Sequence, residues 1–243
     1  MTESWTEAKL AELPVKGGVR QRGVDMTRLE TFCDAAFAFA VTLLVVGDGI
    51  PRSYAELIQS LLGAPAFAAS FASIAYFWWA HRTWSRRYGL EDGLTSLISL
   101  AMVFVMLIYV YPLKMVFTAF ASFASGGYLP TEFTLQSSSE MVGIFAIYGL
   151  GFAALNGLMG LLHLRVLRAE QDLRLDALEK MRTRQSSTQF LVLALTGLAS
   201  MIWAVALPPS VAMFAGFWYM TLPVSMPVLA IRQERKIRKM EAG

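Results

Sequence analysis

Cysteine and histidine are nearly missing from this chain, which has one cysteine, Cys33, and two histidines, His81 and His163, in 243 residues. A single cysteine excludes an intramolecular disulfide and any multi-cysteine metal site. The chain also lacks HExxH, GxSxG and Walker loops, so no protease, hydrolase or nucleotide-binding signature points to an enzyme. Charge is scarce: Asp, Glu, Lys and Arg make up 16% of the residues, against about 25% in an ordinary soluble domain. Residues 1–31 carry no early apolar stretch, which excludes a secretory signal peptide. The net charge of +3 gives no sign of a nucleic-acid partner, because the basic residues flank apolar runs.

What the chain does have is apolar length. Hydrophobic residues make up 56% of it, and the mean hydropathy is +0.49. A hydrocarbon core about 30 Å thick needs ~20 apolar residues in a helix. Leu94 to Leu113 and Met141 to Leu162 are free of charge, and so is Leu57 to Ala80, whose helix is expected to start near Pro65. From Gln185 to Ile231 there is again no charge, with Pro208 and Pro209 dividing the stretch into two spans. The remaining span is shorter, with only thirteen uncharged residues between Asp34 and Asp48.

Lysine and arginine placement orients these spans. Nineteen of the twenty-one fall on one side if all six cross: five before the first span, three after the second, six after the fourth and five in the tail. The exceptions are Arg52 and Lys114. The positive-inside rule makes that side cytoplasmic. The expected protein is therefore an all-α membrane protein with a cytoplasmic segment 1–31, a six-helix domain 32–231 and a cytoplasmic tail 232–243. Its spans are expected near 32–50, 64–82, 93–114, 141–164, 187–207 and 210–231. Arg165 to Arg184, a mixed-charge stretch with leucines at 167, 173, 175 and 178, reads as the fourth span continuing as a cytoplasmic helix. Residues 118–140 read as an outer loop rich in Ser, Thr and Gly.

The first span is the unusual one. At 100° per residue, Ala35, Phe39, Thr42, Leu43, Val46 and Ile50 share a face, an apolar stripe with a single hydroxyl. Asp34 lies about 140° from Phe39 on the same wheel. Periodicity alone leaves two readings of the stripe: it lines a narrow pore, or it packs against lipid or another helix. An acid inside a membrane helix must be paired or wetted. Depth supplies candidates, because span two runs back inward to Trp78 and His81, and span three starts outward with Ser96 and Ser99. These groups could form a satisfied polar layer, or Trp78, Trp79 and His81 could form an interfacial belt. The run Thr42 to Gly49, TLLVVGDG, superficially resembles a carbonyl filter. Its glycines, however, end a spanning helix and do not form a loop between two helices. In span four, Gly149, Ala153 and Gly157 form a small-xxx-small face for close helix approach, with Asn156 beside it.

Arg28-x-x-x-Phe32-Cys33-Asp34 followed by FAFAVTLLV resembles the R-x-x-x-F-S-D signature that opens the first helix of the transmembrane protein 175 family, the endolysosomal potassium channel and its prokaryotic relatives. Trp78-Trp-Ala-His81 is similar to the W-x-x-H of that family's second helix, and Pro112 fits after span three. The resemblance implies a homotetramer of six-helix subunits in a prokaryotic plasma membrane, with the first helix of each lining a potassium-permeable pore. Potassium ions, as permeant species, and the bilayer are the partners implied, and no cofactor is. By position, Phe39, Leu43 and Val46 match the family's apolar pore positions, and Thr42 matches the threonine implicated in selectivity. Arg28, Cys33, Asp34, Trp78, His81 and Ser99 match the polar layer bracing the first helix. Three residues depart from the pattern: Cys33 stands for serine, Phe39 for Ile or Leu, and Ser99 for asparagine. A function from another class remains, a secondary cation or proton-coupled transporter with Asp34 and His81 as relay. Transporters commonly interrupt helices at the membrane midplane, whereas here Asp34 lies at the cytoplasmic edge and Pro208-Pro209 between spans.

Overall fold

The computed structural model describes residues 5–46, 50–131 and 137–241. A short helix α1 (Glu7–Glu12) and a hairpin of β1 (Val15–Lys16) and β2 (Val19–Arg20) precede the helices α2 (Arg28–Val46), α3 (Tyr54–Leu62), α4 (Ala64–Tyr88) and α5 (Gly93–Ala124). After these come α6 (Ser138–Arg168), α7 (Ala177–Ala206), α8 (Pro209–Ala212), a 3-10 segment (Met213–Thr221) and α9 (Leu222–Glu241). Among the described residues, five helical segments are long and apolar enough to cross a membrane: α2, α5, Ser139–Arg168 of α6, α7 and Ser210–Arg238. The pair α3 and α4, bent by 49° at the break between them, supplies a sixth. The chain is a multi-pass helical membrane protein.

The starts and stops of these helices follow local chemistry. Thr27 Oγ1 accepts from the Glu30 N–H at 3.0 Å and caps the start of α2. Pro65 sits in the first turn of α4, where its missing N–H costs nothing. Gly89 ends α4 in the left-handed conformation at φ 58°. Asp92 caps α5 through the N–H groups of Leu94 and Thr95, both at 3.0 Å. With 32 residues, α5 is about 48 Å long and projects beyond a ~30 Å hydrocarbon core.

The structure departs from the sequence reading in three places. The fourth span does not run on through Arg165–Arg184: α6 stops at Arg168, and α7 begins anew at Ala177. A capping box causes the restart, with Asp176 accepting from the Glu179 N–H at 2.8 Å and Glu179 accepting from the Asp176 N–H at 3.1 Å. Leu173 and Leu175 turn back into the core from this connection, which contains Arg174 at φ 45°. The outer loop starts later than residue 118, because α5 carries on to Ala124. The last span is not one regular helix, since nine residues after α8 wind as 3-10. The end of the first span and the glycines of TLLVVGDG, at 47–49, lie outside the described residues, as do residues 132–136 of the outer loop.

Helices α6 and α7 form the closest pair. A Cβ on Gly149 would stand 2.8 Å from the Gly197 carbonyl oxygen, and one on Gly197 would stand 2.8 Å from that of Gly149. Glycine is required at both positions for backbones to approach this closely. Ala153 shares the contact, whereas a Cβ at Gly157 would meet nothing within 4 Å. Asn156 does not reach across to a neighbour: its amide donates to the Phe152 carbonyl of its own helix at 2.8 Å.

Outside the spans, the N-terminal segment is clasped to the rest of the protein by a carboxylate. Glu179 precedes the uncharged part of α7 and accepts six hydrogen bonds: from the Arg20 N–H, Nε and Nη2, from the Arg22 Nη1 and Nη2, and from the Asp176 N–H. The side chains of Arg22 and Glu179 are both fully buried. Gly23 donates to the Arg86 carbonyl at 3.0 Å, tying the same segment to the end of α4. Burial alone would raise the Glu179 carboxyl, but the hydrogen bonds from Arg22 and Arg20 outweigh it and hold the group down at about 2. A depressed carboxyl contributes stability that is complete above its ordinary 4.5 and is lost as the pH falls from there toward about 2. Thermal melting of the purified protein is therefore expected to weaken across that interval, and Glu179→Gln to flatten the dependence. At neutral pH the variant should be less stable by ~3–5 kcal/mol, the cost of stranding one partner of a buried pair. Wild-type and variant melting curves with the same pH slope would contradict this.

Candidate functional site

Helix α2 has two unlike sides. Cys33, Phe37, Ala40 and Leu44 are buried and pack it against the other helices, with Phe37, Ala40 and Leu44 joining the main core. Their three- and four-residue spacing puts them on one face. Ala35, Phe39, Thr42 and Val46 are exposed, Phe39 by 57% and Val46 by 65%. Among the described residues, no helix of the subunit covers the stripe they form. Leu43 differs from the other stripe residues: it is half-buried and packs against the core at the stripe's edge. The Thr42 hydroxyl donates to the Ala38 carbonyl at 3.1 Å. That bond takes up its only proton, so toward any other group the oxygen can act only as an acceptor.

The six residues expected in a polar layer do not form one network. Trp78 Nε1 donates to Asp34 Oδ1 at 2.8 Å, joining α4 to α2. The Arg82 guanidinium lies 5.4 Å from the Trp78 ring centroid, a cation–π contact that places positive charge beside the same pair. His81 Nε2 and Ser99 Oγ are 3.1 Å apart, a second and buried pair that joins α4 to α5. Cys33 is fully buried as a small apolar group. Arg28 is exposed and has no hydrogen-bond or ion-pair partner among the described residues.

Two further charges hold α2, and neither was legible in the sequence. Glu30 is 2% exposed and lies 3.3 Å from Arg86 Nε of α4. At the other end of the helix, Lys114 of α5 donates to the Leu44 carbonyl at 3.0 Å. A cation there satisfies one of the carbonyls that a helix C-terminus leaves open and complements its dipole. The sequence places Glu30 in the first turn of α2 and Lys114 alone on the outer side, yet neither position reveals its partner. Chemically, the arrangement braces a helix at both ends and leaves its apolar, single-hydroxyl face bare.

Comparison with known proteins places this geometry in a class, that of multi-pass ion channels. The model of the endosomal/lysosomal potassium channel TMEM175 family matches residues 28–112, which contain α2, α4 and most of α5. A protein named potassium channel from Marivirga tractuosa is 31% identical over 227 residues, covering 90% of this chain and 92% of that one. A crystal structure of a variant of the potassium channel MtTMEM175, bound to a nanobody–MBP fusion protein, superposes with a TM-score of 0.81 at 30% identity. That match covers 92% of this chain and 100% of the other. The chain belongs to the TMEM175 family.

The Asp34–Trp78 bond is open to a double-mutant cycle. Trp78→Phe keeps the ring and removes the donor, at an expected cost of ~1.5–3 kcal/mol for a hydrogen bond to a charged group. Asp34→Asn should add little once that donor is gone, so the two changes should be non-additive. Melting of the two single variants and the double variant in detergent measures the coupling, and strict additivity would show that the bond contributes nothing.

Proposed function

We propose that the protein is a potassium-permeable channel in which four copies meet through α2, and that the bare stripe of that helix lines the pore. The observation that carries this reading is the uncovered face with Phe39, Thr42 and Val46, on a braced helix, in a chain of a potassium-channel family. One helix cannot enclose a path for an ion, whereas closed cyclic symmetry brings four equivalent faces around an axis. Phe39 then narrows the path by excluding water, and Leu43, at the stripe's edge, borders it where subunits meet. Four Thr42 oxygens replace part of an ion's hydration shell and supply a preference for potassium. Trp78 and Asp34 hold the helix, His81 and Ser99 fix α4 to α5 behind it, and none of the four touches an ion. Arg28 stands exposed at the helix start, where another subunit or the membrane surface can meet it.

The basic-residue count puts both termini in the cytoplasm, and the short single-repeat chain fits a prokaryotic plasma membrane. The relay alternative needs Asp34 and His81 to exchange a proton. Each has its own partner on a different helix pair, which favours bracing.

Reconstitution in planar bilayers with a potassium gradient tests the reading. Discrete single-channel steps are expected, and saturating flux without steps would favour a carrier. Phe39→Ala should raise conductance and weaken discrimination between ions, while unchanged currents would take Phe39 out of the pore. Thr42→Ala should leave assembly intact and reduce the preference for potassium over sodium. Bi-ionic reversal potentials measure that preference, and an unshifted value would place selectivity elsewhere.

A further inference from the structure

A basic cavity contains no residue of α2 in its lining and so stands apart from the proposed conduction pathway. It lies between the start of α7 and the end of α9, has a volume of about 470 Å³, and is lined by Lys180, Arg184, Lys236, Gln185, Thr188 and Gln233, with no carboxylate among the described residues. Lys180 is paired with Glu170 at 3.3 Å. Arg184 and Lys236 have no ion-pair partner among the described residues. Three cations converge here with neutral hydrogen-bonding groups, and two of them have no acid to balance them among the described residues.

Depth and direction identify the occupant. Gln185 begins the uncharged stretch of the chain and Ile231 ends it, so the cavity stands where the spans leave the membrane on the basic side. Arg184, Thr188, Leu191 and Leu195 follow one another at four-, three- and four-residue spacing and share a face of α7. All four are exposed. On α9 the exposed Val228 and Ile231 precede Gln233 and Lys236 toward the membrane interior. The surface is thus cationic at its end and apolar along its length, the complement of a lipid with an anionic headgroup and acyl chains. Basic clefts between membrane helices on the cytoplasmic side are suited to such headgroups.

We infer that the cavity between α7 and α9 binds the phosphate headgroup of an anionic phospholipid from the adjoining leaflet, whose chains lie along Leu191, Leu195 and Val228. Arg184 and Lys236 bind the phosphate as the two uncommitted cations. Lys180 adds field while held by Glu170, and Gln185 and Gln233 offer amide donors.

The test uses the full-length protein incubated with phosphatidylcholine vesicles containing phosphatidylglycerol, then extracted in detergent. Lipid retained on the protein is read by native mass spectrometry. Each lysine or arginine near an anionic surface contributes roughly fivefold, so phosphatidylglycerol should be retained at least tenfold over phosphatidylcholine. The double variant Arg184→Gln/Lys236→Gln spares the Lys180–Glu170 pair and should lose most of that preference. Arg232→Gln/Arg235→Gln removes the same charge from α9 outside the cavity and should keep it. Thr188→Trp fills the cavity without changing charge and should lose it. Equal retention of the two lipids by the wild type would overturn the inference. So would equal loss in the Arg232/Arg235 control, or retention undiminished in either cavity variant. If inorganic phosphate displaces phosphatidylglycerol at equal concentration, the cavity is a site for free phosphate, and the lipid assignment fails. None of these readouts depends on ion conduction, so the channel reading stands or falls separately.

Discussion

Taking charge out of water is the constraint on which this structure depends. In a bilayer an ionisable side chain must be paired, hydrogen-bonded or brought to the surface, and an uncompensated one costs several kcal/mol. Helix α2 meets this constraint most acutely, because its 19 residues include Arg28, Glu30 and Asp34. At 1.5 Å per residue they reach only about 28 Å, barely a membrane's hydrocarbon thickness. Glu30 turns to Arg86, Asp34 to Trp78, and the Leu44 carbonyl to Lys114. All three partners come from α4 and α5, so satisfying these groups also sets how α2 is rotated against its neighbours.

That rotation decides which face stays bare. With Phe37, Ala40 and Leu44 turned into the core, Phe39, Thr42 and Val46 have nowhere to go but outward. Thr42 is tolerated on an apolar face because its hydroxyl can donate to its own helix, which leaves an acceptor and no stranded donor. The polar contacts that brace the helix and the apolar stripe beside them are thus two results of one orientation.

Behind this element stands a backing whose cohesion has a different origin. Lipid tails are as apolar as leucine, so helices in a membrane gain little from burying apolar surface and associate through close packing. The paired glycines of α6 and α7 allow that contact. Where water returns, charge is again useful. Arg20 and Arg22 close on Glu179, and the Arg86 and Arg87 carbonyls receive the N-terminal backbone, so a segment with one short helix and a small hairpin is fixed to α4 and α7.

The apolar spans and the apolar stripe of α2 were legible in the sequence, because each depends on local composition or on the helical period. The same holds for Asp34, Trp78, His81 and Ser99 as groups at one depth, since chain direction and rise per residue place them there. Their pairing was not legible. Asp34 with Trp78 and His81 with Ser99 form two bonds on different helix pairs, and Leu43 turns partly inward while Arg28 stays exposed. Such choices depend on how helices rotate and cross, which a period of 3.6 residues leaves open. The capping box that restarts α7 was written plainly in Asp176 and Glu179, but the leucines of the mixed-charge stretch, which suit a helix continuing from α6, hid it. The clasp of Arg22 on Glu179 joins residues 157 apart in the chain. Only the folded backbone brings them together, because nothing in the neighbourhood of either residue encodes the other.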